Sequence, residues 1–478
     1  MANINRRQFL SRSSAFGFAA SMGALTGISA NKAWAANTTG YKAMVCLFLK
    51  GGLDHADSVI PYDQSSWQNL SNTRQGLFGA YNASSTSSSR NRANLLKLNP
   101  DNASTLGGRE YSFPPQMAGL HAMFEGGDLA LVGNVGPLLN PVTRAQIEND
   151  TANLPARLFS HNDQQSTWMT FASEGARIGW GGRFADAMIA ATPGEDATYK
   201  AISTSSNDPF LAGNTVRQFR VTSSGAIIPD IIQKEYILGS NAADDNTRAR
   251  LAEYISRDNL GLTNFFEQDF TAAKSRGFQT AQRLLQARQG GTSITTVFPD
   301  TPLGRQLRSV AETINIQQAL NTSRQVFYVT KGGFDTHSNQ TKDMPNLQQD
   351  LSDSLAAFRT AMIEIGHWND TVLFTASDFG RTVIDNGDGT DHGWGGHHFV
   401  LGGPVNGKRL YGSFPGPDTG SSSYMPTRGR LIPSVAVEQY AATIGSWFGL
   451  SNSELATALP NLGQFNDSNL GFLNGGSA

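Results

Sequence analysis

The chain has 478 residues, a formal net charge of −2 and one cysteine, Cys46. A charge balance this even leaves no basic footprint for a nucleic-acid partner, and a single thiol forbids an intrachain disulfide. The fold must therefore be held by its core, and the length suffices for one large α/β domain.

The first residues read as an address rather than as structure. An Arg6-Arg7 pair in RRQFL precedes a weakly apolar, Ala/Gly-rich run, and Ala33-Trp34-Ala35 closes it with a small-x-small cleavage signal. This is the layout of an export peptide over 1–35, and the paired arginines point to the twin-arginine machinery, a route for proteins already folded. The mature protein then begins near Ala36 and is periplasmic or secreted. A membrane anchor is the alternative, but the apolar stretch is short and Gly-rich for a span of ~20 residues. No long apolar run follows, so no stable membrane span is expected in the mature chain.

Lys42 to Leu49, KAMVCLFL, is a continuous apolar run of the kind buried on both faces in a parallel sheet. It exits through Gly51-Gly52-Leu53-Asp54. Residues 64–112 are rich in Ser, Asn and Arg and read as a surface insertion. Leu129 to Val132 is a second strand. Residues 241–290 read as helical and charged, a cap or an outer layer. RQVFYVT (324–330) is a strand. Leu347, Leu351, Leu355, Phe358, Met362 and Ile365 recur every three or four residues, so 345–366 is an amphipathic helix. TVLFTAS (371–377) is the next strand, and strand, helix, strand makes a βαβ unit with a parallel pair. FVLGGP (399–404) is a further strand, and Val435 to Leu450 a closing helix. Residues 36–478 thus form a single α/β domain with insertions at 64–112 and 241–290.

Three strands end in aspartate. FLKGGLD places Asp54, VTKGGFD places Asp335 and TASD places Asp378 just past a strand end. Ligands of open parallel sheets sit outside the carboxyl ends of the strands. Side by side, three carboxylates repel, and a bound cation is the usual remedy. Histidines fall in the same segments: His55 after Asp54, His161 in LFSHNDQQ, His337 after Asp335, and His392, His397 and His398 on the Gly-rich stretch after Asp378. His121 and His367 lie elsewhere. A metal centre of Asp54, Asp335, His337, Asp378 and one or more of His392, His397 and His398 is therefore expected. Mixed Asp/His ligands suit zinc or manganese, and all-oxygen sites magnesium or calcium. Taken singly, each strand-end Asp is as well explained by a turn or a helix cap, and Asp385 to Asp388 by turn formation.

RRQFL, FLKGGLD, SHNDQQ, GGFDTHSNQ, TASDFGRT, GTDHG and LGG together resemble the DUF1501 family of exported proteins, over most of the mature chain. That family is itself similar to the alkaline phosphatase and sulfatase superfamily. The resemblance implies an α/β/α sandwich with a mostly parallel central sheet. It also implies a metal site at the strand carboxyl ends and hydrolysis of a phosphate or sulfate ester, small or polymeric, by a Ser or Thr nucleophile. The family label itself implies no settled activity. Carried over, Asp54 matches the first-strand ligand, Asp378 the strand-end Asp, and one of His392, His397 or His398 the later histidine. Asp335 and His337 resemble a ligand pair that the superfamily spaces four apart, where here the spacing is two. Phe379 stands where His or Asn normally follows the strand-end Asp, so the second of two metal sites, near Asp54 and Ser160, is expected to be weak. Asn153 occupies the position that a sulfatase of the Cys/Ser-x-Pro-x-Arg type needs as Cys or Ser, which argues against that chemistry.

A nucleophile belongs on a tight turn at a helix N-terminus, and Ser160 in RLFSHNDQQSTWM fits, with His161 as a ligand or as the group that orients it. Ser160 is equally explained as an N-cap. The expected function is an exported, metal-dependent hydrolase of phosphate esters. The alternative is an inactive binding or assembly protein that keeps the fold and a structural metal. If the leader is read as an address, Arg6→Lys with Arg7→Lys should strand the uncleaved protein in the cytoplasm, which fractionation and blotting would show.

Overall fold

In the computed structural model, which describes residues 36–84, 88–222, 225–226, 242–257 and 263–475, the run KAMVCLFL is strand β1 (Lys42–Leu49). The leader expected over 1–35 lies outside the described residues. Side chains of β1 alternate between two cores. Ala43, Val45, Leu47 and Leu49 enter one, and Met44, Cys46 and Phe48 the other, which is why the run is apolar throughout.

Further strands are β2 (Leu129–Gly136), β3 (Ala201–Ser203), β4 (Phe219–Thr222), β5 (Gly225–Ala226), β6 (Arg324–Lys331) and β7 (Thr371–Ser377), then β8 (Arg381–Asp385), β9 (Thr390–His392), β10 (Gly396–Leu401), β11 (Leu410–Gly412) and β12 (Val435–Ala436), while Ile60–Pro61, Leu96–Lys97 and Tyr111–Phe113 make a small antiparallel sheet of their own. Ten of the strands form one sheet in the order β11-β2-β10-β7-β1-β6-β3-β4-β5, with β12 paired to β2. Most neighbours are parallel; β10 runs antiparallel to both β7 and β2. β8 and β9 form a separate hairpin. The expected α/β class with a mostly parallel central sheet is what is found.

The βαβ unit exists, but its strands are not neighbours. β1 lies between β6 and β7, with Val45 opposite Phe327 on one side and Leu373 on the other. Leu49 is level with Lys331 and with Ser377, so Asp54, Asp335 and Asp378 leave the sheet at one edge. The strand exits touch. Gly51 has φ +114, and a Cβ there would stand 2.3 Å from the backbone nitrogen of Asp335. Gly52 has φ +90, and its Cβ would stand 2.6 Å from the Phe379 ring. These positions need glycine for both conformation and space.

Helices cover both faces. α4 (Ala118–Glu125), α9 (Pro302–Ile314) and α10 (Gln340–Glu364) pack into the first core, and α5 (His161–Thr170), α6 (Trp180–Ala191) and α11 (Val437–Phe448) into the second. α10 begins at Gln340, seven residues before the first residue of its apolar repeat, with Pro345 inside it. The sequence pattern starts at Leu347, but buried Gln340 and Met344 already face inward in the first turns. Where a surface insertion is expected at 64–112, the chain instead packs α2 (Gln64–Thr73) and α3 (Gln75–Ser84) against α1 (His55–Ser58) and its surroundings, and it buries Arg74 and Arg90. The 241–290 segment is helical as expected over its described part, in α7 (Ala242–Ser256) and α8 (Phe265–Gly290). Among the described residues no helix is long and apolar enough to cross a membrane.

α11 carries one uncompensated acid. Glu438 is buried, its Oε1 accepts from Asn461 at 3.0 Å, and its Oε2 has no partner among the described residues. Burial pushes its carboxyl up to about 7. A carboxyl raised above its unfolded value holds its stability below about pH 4.5 and loses it as pH rises through about 7. Glu438→Gln should therefore stabilise the protein by up to about 3 kcal/mol at pH 8 and by little at pH 5, read from urea unfolding at the two pH values.

Candidate metal centre

Three imidazoles and one carboxylate meet at the sheet edge. His161 is the first residue of α5, Asp335 follows β6, His337 lies two residues on, and His392 ends β9. Ligand atoms of His161, Asp335 and His392 all lie within 4.8 Å of one another. His337 Nε2 stands 2.8 Å from His392 Nε2, and each is 3.1 Å from Asp335 Oδ1. His161 Nε2 is 3.3 Å from Asp335 Oδ2, yet it is buried and makes no hydrogen bond.

What each Nδ1 touches fixes the tautomers. His161 Nδ1 is 2.6 Å from Asp378 Oδ2, His392 Nδ1 2.7 Å from the Phe159 carbonyl, and His337 Nδ1 3.3 Å from Asp391 Oδ1. Carboxylates and carbonyls only accept, so each neutral ring carries its proton on Nδ1 and turns an Nε2 lone pair toward Asp335. Lone pairs that converge at these distances repel unless a proton or a cation stands among them. Histidines held at one nitrogen by a carboxylate or carbonyl, with the other free, are the arrangement of metal ligands.

The local backbone serves this geometry. Arg157 and Phe159 both adopt left-handed φ, 50° and 73°, and the turn they make presents the Phe159 carbonyl to His392. A bulky residue there is strained, and such strain collects at functional sites. Arg430 stacks its guanidinium 4.0 Å from the Phe159 ring and donates to the His392 carbonyl at 2.8 Å. Phe379, buried, packs its ring 4.9 Å from His161 and 4.5 Å from His392. It thus walls the cluster on its inner side.

Charges around the site are balanced. Burial pushes the Asp335 carboxyl up, but the hydrogen bond and charge of Arg381, with His161 and His337, outweigh it and hold it below the usual carboxylate range. Arg381 itself is buried and donates to Asp335 at 2.7 Å and to the Gly51 carbonyl at 3.0 Å. The hydrogen bond to Asp378 raises His161, against burial. Burial lowers His392.

The expected centre is only partly assembled. Asp335, His337 and His392 come together, and His161 joins them. Asp378 stands behind: its Oδ1 accepts from the Gly51 N–H at 3.1 Å, and its Oδ2 from Gln165 at 2.8 Å and from His161. Asp54 is not brought to the cluster. Arg74 clamps both its oxygens at 2.7 and 2.9 Å, Gln340 donates at 2.6 Å, and the Ala56 N–H donates as a helix cap. Burial pushes this carboxyl up, and the charge and hydrogen bonds of Arg74 more than offset it. A carboxylate so saturated has no lone pair to spare, so the weak second site expected near Asp54 finds no support from it.

His397 and His398 also stand apart, because they lie inside β10 and not on the loop before it. His397 Nδ1 accepts from the Asn134 N–H at 3.0 Å, and His398 Nδ1 is 3.2 Å from Thr375 Oγ1. With His55 they form a buried imidazole group whose nearest rings, His55 and His397, are 5.0 Å apart. Burial lowers His55 to about 4 and His398 to about 3, and His397 well below its usual value. Ser160 is the N-cap of α5, and its hydroxyl donates to Asp163 Oδ2 at 2.9 Å. Sequence reasoning assigned no role to Phe159, Gln165, Arg381, Asp391 or Arg430. Gln165, Arg381 and Asp391 lie within motifs already singled out, whereas nothing in the sequence marks the Phe159 carbonyl.

The family model described as "Protein of unknown function (DUF1501)" matches residues 41–424. Among curated proteins none matches in sequence. Solved structures with similar architecture include the PsFucS1 sulfatase from Pseudoalteromonas sp., at 8% identity and TM-score 0.31, covering 78% of this chain and 65% of that one. The lipoteichoic acid synthase LtaP from Listeria monocytogenes has 9% identity and TM-score 0.30, covering 86% and 72%. The alkaline phosphatase from the Antarctic bacterium TAB5 has 10% identity and TM-score 0.27, covering 76% and 91%. Likenesses this distant do not bear on chemistry.

The separation of Asp54 from the cluster can be measured. Arg74→Met leaves a buried, unpaired carboxylate and should lower stability by about 3–5 kcal/mol in urea unfolding. Metal bound per folded molecule should stay at the wild-type value.

Proposed function

Since the chain belongs to the DUF1501 family, whose description carries no activity, its chemistry has to be read from the site, and we propose an exported, metal-dependent hydrolase of phosphate esters. The observation that carries this reading is the convergence of three Nε2 lone pairs on the Asp335 carboxylate, each ring fixed from behind through Nδ1. His161, His392 and Asp335, whose ligand atoms lie within 4.8 Å of one another, would hold one divalent ion, with His337 beside them at 3.1 Å from Asp335 Oδ1. Three imidazole nitrogens and one carboxylate suit zinc or manganese better than magnesium or calcium, which take oxygen ligands. The unpartnered, buried His161 Nε2 is the atom such an ion would satisfy.

When bound, a divalent ion there lowers the pKa of a coordinated oxygen and polarises an ester. The protein's own groups supply the rest. Asp378 holds the His161 proton on Nδ1 and so keeps Nε2 free for the ion. Arg381 neutralises Asp335 without leaving the interior. Phe379, buried and packed against His161 and His392, keeps water from the inner side. Ser160 stays the nucleophile in this reading, with Asp163 Oδ2 placed to take its proton. The leader is read as the export signal. A binding or assembly protein with a structural metal would share the ligands and lack the turnover.

Protein purified without added metal should carry about one zinc or manganese per chain by elemental analysis. His392→Ala and Asp335→Ala should each lose it, with melting temperature falling accordingly. The metal-loaded wild type should hydrolyse p-nitrophenyl phosphate or its diester, and Ser160→Ala should lose at least about 10²-fold while keeping its metal. Metal retained in both ligand variants would refute the site. Metal bound with neither ester cleaved would favour the binding protein.

A further inference from the structure

α5 has two working faces. His161 turns to the metal ligands, while Asn162, Gln165, Ser166 and Met169, spaced as one helical face, line a cleft of about 590 Å³ on the other side. That volume is within the ~300–1,000 Å³ of ordinary small-ligand sites. Gln165 belongs to both sides: it lines the cleft and donates to Asp378, the carboxylate that holds His161. The cleft therefore begins one side chain from the candidate metal centre.

Its lining selects against most substrate classes. Among the described residues no aromatic side chain lines it, so they give a nucleobase nothing to stack on. Among the described residues Met169 is its only long apolar side chain, too little to take up an acyl chain. Formal charges nearly cancel: Glu174, Asp208 and Arg177 all line the cleft, and Lys50 pairs with Asp208 at 3.0 Å. What remains is a set of amides. Gln218 Nε2 is anchored on the Ser206 carbonyl at 3.2 Å and on Asn207 Oδ1 at 3.0 Å. This orients the pair and, among the described residues, leaves Asn207 Nδ2 as a free donor and Gln218 Oε1 as a free acceptor. Gln165, with its Nε2 on Asp378, likewise offers Oε1. Fixed amides that present donors beside acceptors complement hydroxyls, each of which is both.

Resting on the hydrolase reading above, we infer that this cleft holds the polyhydroxylated, uncharged part of the substrate, so that the ester cleaved is one borne on a sugar. Asn207, Gln218 and Gln165 are its specificity-determining residues, and the ester group points past Gln165 to the metal ligands.

The test is calorimetric binding to the zinc-loaded full mature chain. The probes are methyl phosphate, hexyl phosphate, adenosine 5′-phosphate, the 6-phosphates of glucose, galactose and N-acetylglucosamine, and neutral cellobiose. At least one sugar phosphate should bind 10-fold or more tighter than methyl phosphate, and in Asn207→Ala with Gln218→Ala that ratio should collapse toward one. Hexyl phosphate or adenosine phosphate binding tighter than every sugar phosphate would overturn the inference, as would a sugar preference untouched by the double variant. The two readings fail separately. Methyl phosphate bound and hydrolysed with no sugar preference sinks the cleft and spares the hydrolase. Cellobiose or a sugar phosphate bound through Asn207 and Gln218, with no ester cleaved, sinks the hydrolase and spares the cleft. No binding by any probe rejects the cleft as well as the metal-dependent site.

Discussion

Everything at the candidate site depends on β1 lying between β6 and β7 with all three strands ending level. Parallel strands aligned at their carboxyl ends put three exits within a few ångströms, and two glycines of positive φ let them touch. The backbone nitrogen of Asp335 abuts Gly51, and the Gly51 N–H in turn holds Asp378. A shift of one strand by one residue would turn each inward side chain to the opposite core and pull these exits apart.

Close carboxylates at such an edge must each be compensated by charge or by hydrogen bonds, and the protein compensates each differently. Asp54 takes Arg74 and becomes part of the interior. Asp378 takes the proton of His161 and a backbone N–H. Asp335, the exposed one, shares Arg381 with three imidazoles. Neighbouring Asp57 repeats the first solution, with Arg90 at 2.6 Å. Both arginines come from the 64–112 segment, so the stretch that reads as least structured supplies the charges that let two acids be buried. Removing one partner of such a pair is far more damaging than the pair itself is stabilising.

Phe379 gains a meaning from its surroundings. As a departure from a superfamily motif it reads as a lost ligand. In the fold its ring lies against His161 and His392, and Gly52 is the residue that makes room for it. An apolar wall behind the imidazoles lowers the local dielectric and limits their rotation, which is how a ligand set is held before any ion arrives.

The sequence by itself determined the α/β class, because continuous apolar runs and a 3.6-residue apolar period are local signals of buried strands and amphipathic helices. It also determined the strand-end aspartates and the segments that carry histidine, and with them Asp335, His337 and His392 of the candidate centre. Only the tertiary structure decided which of these groups face one another. Asp54 and Asp335 follow the same Lys-Gly-Gly-x-Asp motif, yet one meets Arg74 and the other an open edge, and no local pattern encodes a partner many residues away. His397 and His398 read as loop residues because glycines precede them, whereas pairing with β2 and β7 draws them into a strand and buries them. The carbonyl that orients His392 belongs to Phe159, where the side chain is irrelevant to the bond. Residue identity announces chemistry, but the direction of a lone pair is set by contacts that form only when distant strands are brought into register.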